Sequence, residues 1–175
     1  MSPQFTFEAL GTKWWIELFD ELTSERRVVI LDDCTAFVRA FESNYSRFKA
    51  DSQISLLNQN RTLENPSVEL QSILLYGKGM YMRTNTHFNI LTGHIQEANG
   101  YDADYSFTIS DTNIQASNPV TDIDISTEAI TLHGDSKVDI GGFGKGFLID
   151  LLTKHLQETY DLTHFLINGG GDLYV

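Results

Sequence analysis

An α+β fold of mixed sheets packed with helices is what this sequence predicts, on three observations. Trp14, Ile16 and Leu18 alternate with more polar neighbours, the two-residue period of a half-buried strand. Ile30, Leu31, Cys34, Phe37, Val38 and Phe41 recur at helical spacing, and IDISTEAITL alternates on both sides of Thr127-Glu128 as a hairpin does. Strands and helices thus follow one another in mixed order.

Taken in order, FEALGTKWWIELFD predicts two short strands meeting at Gly11. A helix follows from Ser24 to about Tyr45 with one buried face. In SRFKADSQISLLNQN, Asp51 or Ser52 can cap a short helix carrying Ile54 and Leu57. Asn65-Pro66 predicts another start, with proline at the first helical position and an apolar face of Val68, Leu70, Leu74 and Leu75 reaching about Met82. The region 99–135 is rich in turn formers apart from its hairpin. KVDIGGFGKGFLID predicts a strand ending near Ile140 and a helix starting near Phe147, and THFLINGGGDLYV predicts a strand ending in three glycines and Asp172.

At 175 residues and 41% apolar composition the chain is long enough to bury a core. Its net charge of −12, from 24 acids against 12 Lys plus Arg, presents a repulsive average field to a phosphate backbone, which argues against nucleic acid as a partner. An acidic protein still holds an anionic cofactor where a helix N-terminus, a lysine or a divalent cation reverses the field locally. The single Cys34 makes no internal disulfide. No stretch approaches the length of a membrane span and the N-terminus lacks a secretion pattern, so the expected location is cytoplasmic.

The glycine run Gly141-Gly142-Phe143-Gly144-Lys145-Gly146 invites a phosphate, yet it fits neither common phosphate loop. A P-loop needs Ser or Thr after its lysine, where Gly146 stands, and a dinucleotide fingerprint needs G-x-G-x-x-G, where the spacing here is G-x-G-x-G. Taken alone, Asp139 is equally a turn-capping aspartate, Lys145 a surface lysine, Phe48 a core aromatic and Asp172 a turn residue. His87 and His94, seven apart, could share a helix face, but no acid or cysteine completes a zinc pattern.

VDIGGFGKGFLID followed by LINGGGD resembles the paired motifs of the ApbE family, flavin transferases that move FMN from FAD onto a threonine of a target protein. LGT at Leu10 to Thr12, SRFKADSQISLLN from Ser46 to Asn58 and TNTHFNILTG from Thr84 to Gly93 resemble further segments of that family, in the family's order. The resemblance implies an ApbE-like fold and, residue by residue, a flavin-binding set of Leu10, Gly11, Phe48, His87, Phe88, Asn89, Asp139 and Lys145. Phe48 is cast as the ring that stacks on the isoalloxazine, Lys145 as the group that acts at the phosphates, and the Gly142 carbonyl as a ligand of Mg2+. FAD and a threonine-bearing target flavoprotein are the partners implied.

Departures accompany the match. The family's Thr-Asp-Gly reads Thr84-Asn85-Thr86 and its Phe-Asp reads Phe88-Asn89, so two carboxylates become amides. The family's acidic magnesium ligands and a histidine cast as base have no counterpart before Val175. Residues 1–175 are therefore expected to be the N-terminal, FAD-binding portion of an ApbE-like domain, short of its C-terminal portion and inactive or weakly active alone. The alternative is an FAD- or nucleotide-binding module without transferase activity.

Overall fold

The structure, a computed structural model, describes residues 5–101, 106–109 and 114–175, so part of the turn-rich 99–135 region lies outside it. The chain divides into two compact units, one formed by residues 1–43 and 141–175 and the other by residues 44–140.

The first unit carries a four-stranded antiparallel sheet in the order β1 (Phe5–Ala9), β2 (Thr12–Leu18), β6 (Phe165–Gly169), β7 (Asp172–Tyr174). Leu10 and Gly11 make the two-residue turn between β1 and β2, with φ of +53° and +68°. A two-residue hairpin that follows the strand twist needs positive φ at both positions. Glycine adopts it without strain and leucine does not. Trp14, Ile16 and Leu18 are buried as their alternation predicts, and Ile16 lies opposite the equally buried Ile167. Trp14 faces Gly169, where a side chain would collide with the indole. The indole Nε1 donates to the Ala9 carbonyl at 3.1 Å.

Two helices belong to this unit. α1 (Ser24–Tyr45) has the predicted bounds and buries Ile30, Leu31, Cys34, Val38 and Phe41. Each such aliphatic side chain, fully withdrawn from water, contributes about 1.5–3 kcal/mol. α5 (Gly144–Tyr160) buries Leu148, Ile149, Leu152 and Leu156. One polar cluster ties the two helices: His155 Nε2 lies 2.6 Å from Asp33 Oδ2 and the Tyr160 hydroxyl donates to the same oxygen at 2.9 Å.

The second unit carries a three-stranded antiparallel sheet in the order β3 (Thr62–Glu64), β5 (Ala129–Leu132), β4 (Ile123–Ile125). β4 and β5 are the predicted hairpin; β3, three residues long, has too short a period to be seen in sequence. Around it lie α2 (Gln53–Asn60), α3 (Val68–Arg83) and α4 (Gly93–Ala98). Ile54, Leu57, Leu70, Ile73, Leu74, Ile90, Leu91, Ile123, Ile130 and Val138 are fully buried and form its core. Among the described residues no helix is long and apolar enough to cross a membrane.

Several expectations change. Ser52, not Asp51, caps α2, its side chain accepting from the Ser55 amide. Ser67 caps α3 by accepting from the Leu70 amide, which leaves Pro66 outside the helix. Val68 and Leu75 are 78% and 54% exposed, so the buried face of α3 runs through Leu70, Ile73 and Leu74 instead. Residues 137–140 form no strand, although Val138 and Ile140 are buried. α5 starts at Gly144, three residues before Phe147, so its first turn already contains Lys145 and Gly146. β6 does not stop at a glycine loop; it turns through Gly170 and Gly171, at φ +69° and +105°, into β7, whose first residue is Asp172. His94 lies in α4 whereas His87 lies in no helix, so the two share no helix face.

Candidate functional site

Two segments far from it in sequence, 47–58 and 90–93, meet on residues 137–139 of the second unit. From the start of α2's approach, Arg47 Nε donates to Asp139 Oδ2 at 2.9 Å. One turn from the end of α2, Asn58 grips Val138 by both backbone groups: Val138 N donates to Asn58 Oδ1 at 2.7 Å and Asn58 Nδ2 donates to the Val138 carbonyl at 3.0 Å. From the segment after α3, the Ile90 carbonyl accepts from Asp139 N at 2.8 Å and Gly93 N donates to the Lys137 carbonyl at 3.0 Å. Backbone groups that a strand would satisfy through a sheet are here satisfied by an amide side chain and a loop, which is why alternation persists without a strand.

Arg47 organises this place. Its side chain is 9% exposed and that of Asp139 16%, so the pair is largely withdrawn from water. Nη2 donates to the Tyr101 carbonyl at 2.7 Å, and the guanidinium carbon stands 4.1 Å from the centroid of the Phe48 ring. Arg47's own carbonyl accepts from the Ser55 hydroxyl at 3.0 Å, so α2 fixes the backbone that carries it. Phe48, 40% exposed, is not a core aromatic. Sequence reasoning chose Phe48 and Asp139 and missed Arg47; an ion pair spanning 92 residues leaves no local signal.

His87, Phe88 and Asn89 follow a tight turn at the end of α3. Thr86 N donates to the Tyr81 carbonyl and Phe88 N to the Thr84 hydroxyl. Asn85 and Thr86 have φ of +51° and +69°. Thr86, β-branched and left-handed, occupies the position where the family resemblance implies glycine, an arrangement that costs about 1–3 kcal/mol. His87 is exposed and Phe88 half-buried. The Asn89 amide is committed to structure: Nδ2 donates to the Ser117 carbonyl at 2.7 Å and Oδ1 accepts from Leu91 N at 2.8 Å.

In the first unit, Leu10 and Gly11 occupy the β1–β2 turn, where Leu10 N donates to Glu42 Oε1 at 3.1 Å. Gly142 is exposed just before α5, and Lys145 is half-buried in its first turn. The N-cap, Phe143, makes no side-chain capping bond. That end of the 17-residue helix carries the positive pole of its backbone dipoles. Asp172 is exposed and paired with Gly169 across the β6–β7 turn.

Magnesium takes about six hard oxygen ligands. Among the described residues no group of three or more His, Cys, Asp or Glu is placed to hold a metal ion. Gly142, exposed before α5, offers a backbone carbonyl. A cavity of about 430 Å³ in the second unit is walled by His94, Gln115, Ser117, Asp122 and Asp135, among others, and none of the flavin-binding candidates is among its described lining.

Comparison with known proteins completes the picture. No curated protein matches the chain. Among solved structures, the Flavin Transferase ApbE from Vibrio cholerae is 14% identical, with a TM-score of 0.77 over 97% of this chain and 57% of that one. Pseudomonas stutzeri flavinyl transferase ApbE, in its apo form, is 13% identical, with a TM-score of 0.75 over 98% and 59%. The ApbE protein from Thermotoga maritima is 14% identical, with a TM-score of 0.76 over 96% and 56%. At such identity the likeness is one of fold, and the chain spans less than two thirds of these relatives' lengths. The model of the ApbE family matches residues 10–175, nearly the whole sequence, and the protein belongs to that family.

Proposed function

We propose that this chain is the FAD-binding portion of a magnesium-dependent FAD:protein FMN transferase, which moves FMN from FAD onto a threonine of a target flavoprotein and releases AMP. Family membership supports the reading, as does a fold shared with proteins named flavin transferase and flavinyl transferase. The observation that carries it is the convergence on residues 137–139: three segments that carry the family's motifs hold one another there through Arg47, Asn58, Ile90 and Gly93.

In this reaction the threonine oxygen bonds to the FMN-side phosphorus, the bond from that phosphorus to the bridging oxygen breaks, and AMP departs with the electron pair. The hydroxyl proton passes to a base or to water. Catalysis is then mainly positioning and charge neutralisation. Phe48 offers a flat apolar face to the isoalloxazine. The family resemblance assigns flavin contacts to Leu10 and Gly11 of the first unit and to His87, Phe88 and Asp139 of the second, Asn89 contributing through its backbone because its side chain is engaged elsewhere. Lys145, with the N-terminus of α5, opposes negative charge as it grows on the phosphates. Magnesium, when bound, would draw on the Gly142 carbonyl and would neutralise charge on the diphosphate.

A second reading, an FAD- or nucleotide-binding module without transfer, is favoured by one observation: Asn89, where the family carries an acid, is spent on fixing a turn. A single assay separates the two. The chain, and separately any longer product of the same reading frame, is incubated with FAD, magnesium and a threonine-containing target. Transfer produces AMP and a fluorescent target band on a denaturing gel. FAD binding without AMP from either form supports the module, and no FAD binding by either form removes both readings.

A further inference from the structure

We infer that Arg47 is a positioning residue of the FAD site, which neutralises Asp139 while lying over the Phe48 ring so that an acidic chain can admit a diphosphate-bearing flavin. The inference rests on the FAD reading above and concerns a residue to which neither the sequence motifs nor the family resemblance gave a role.

The geometry is specific. One guanidinium donates through Nε to Asp139, through Nη2 to the Tyr101 carbonyl, and lies over the Phe48 ring. Lysine, a single point charge on a flexible stem, cannot reproduce a planar fork that engages a carboxylate, a carbonyl and a ring face together. Arg47 is more buried than its partner, and its backbone is anchored by Ser55. Asn58 and Ile90 fix the backbone of Val138 and Asp139, so the carboxylate meets the guanidinium from a prepared position.

The electrostatic reason follows from the whole chain. With a net charge of −12, an uncompensated carboxylate at a flavin-contacting position adds local repulsion toward the cofactor's phosphates. A paired carboxylate keeps its hydrogen-bonding oxygens while its charge is cancelled nearby. Arg47 therefore matters in proportion to the charge on the flavin ligand.

That proportion is what the test reads. Dissociation constants for FAD and for riboflavin, which lacks phosphate, are measured by flavin fluorescence on wild type, R47M, R47K, D139N and R47M/D139N, with thermal melts as a folding control. R47M is expected to weaken FAD binding about tenfold or more, the scale for truncating one partner of a buried charged pair, and to weaken riboflavin much less. R47K should retain most of the FAD preference over riboflavin, and R47M/D139N, in which the pair again sums to zero charge, should recover an FAD preference that R47M loses. Equal loss of FAD and riboflavin in R47M, or a double variant whose FAD preference is as low as that of R47M, overturns the inference. If R47M does not fold, R47K carries the test: loss of its FAD preference while its melt is unchanged overturns charge compensation, and its retention upholds it. If wild type binds riboflavin and FAD equally, the inference fails; if wild type binds neither, it is the FAD reading that fails.

Discussion

Replacing Asn58 tests the joint that holds the candidate site. Its side chain makes two hydrogen bonds, of 2.7 and 3.0 Å, to the amide and carbonyl of Val138, a residue with no exposed surface. The orientation of the amide is dictated by chemistry, since the Val138 N–H must meet an oxygen and its carbonyl an N–H. N58A leaves both backbone groups without a partner, at about 1–3 kcal/mol each, so a total loss of about 2–6 kcal/mol is expected. With a urea dependence of about 2 kcal/mol per molar, the unfolding midpoint falls by about 1–3 M. N58D is the sharper variant: it removes almost no volume and keeps the acceptor for Val138 N, but it sets a carboxylate against the Val138 carbonyl. Its cost should match that of N58A, and both should weaken FAD binding through the adjacent Asp139. Urea unfolding followed by circular dichroism reads the first effect and fluorescence titration the second. If N58D unfolds within about 0.5 kcal/mol of wild type, the grip on Val138 is not what holds this segment.

Further expectations concern the scaffold. G169A should cost about 1–3 kcal/mol in urea unfolding, because the new methyl lies 2.7 Å from Trp14 Cη2 in a packed site. T86G should raise stability by up to about 1 kcal/mol by relieving a left-handed β-branched residue, net of glycine's greater freedom when unfolded. Burial alone would raise the Asp33 carboxyl, but the hydrogen bonds from His155 and Tyr160 outweigh it and hold the group below its ordinary value. Its stabilising contribution is therefore complete above the unfolded carboxylate's pKa and lost as pH falls through the lower folded value; acid unfolding of D33N should lack that component. Burial, with the Asp33 charge beside it, pushes the Cys34 thiol up to about 12. A thiol reagent at neutral pH should label Cys34 only after denaturant is added.

Much of the fold could be read from periodicity where an element was long or capped. α1 ran from Ser24 to Tyr45 as its apolar spacing implied, and the two hairpins around Gly11 and Thr127-Glu128 announced themselves by alternation. Reading failed where tertiary partners replaced local ones. Val138 and Ile140 alternate as a strand would, yet their segment is bonded to Asn58 and to the 90–93 loop. The apolar spacing that begins at Phe147 placed the start of α5 three residues late, because the glycines of its first turn, Gly144 and Gly146, have no side chain to extend that spacing. The motif resemblance pointed to Phe48 and Asp139, but what joins them is Arg47, whose neighbours in sequence give no hint of a carboxylate 92 positions away.

FAD binding through the surface around Phe48 and Asp139 is the proposal on which the rest depends. Equilibrium titration of FAD into the chain, monitored by quenching of flavin fluorescence, tests it most directly, with F48A and D139N titrated alongside. Saturable binding by the wild type is expected, weakened about tenfold or more in each variant, with the melting temperature of F48A near the wild type's. Binding that F48A and D139N leave unchanged, or no saturable binding by wild type up to millimolar FAD, contradicts it.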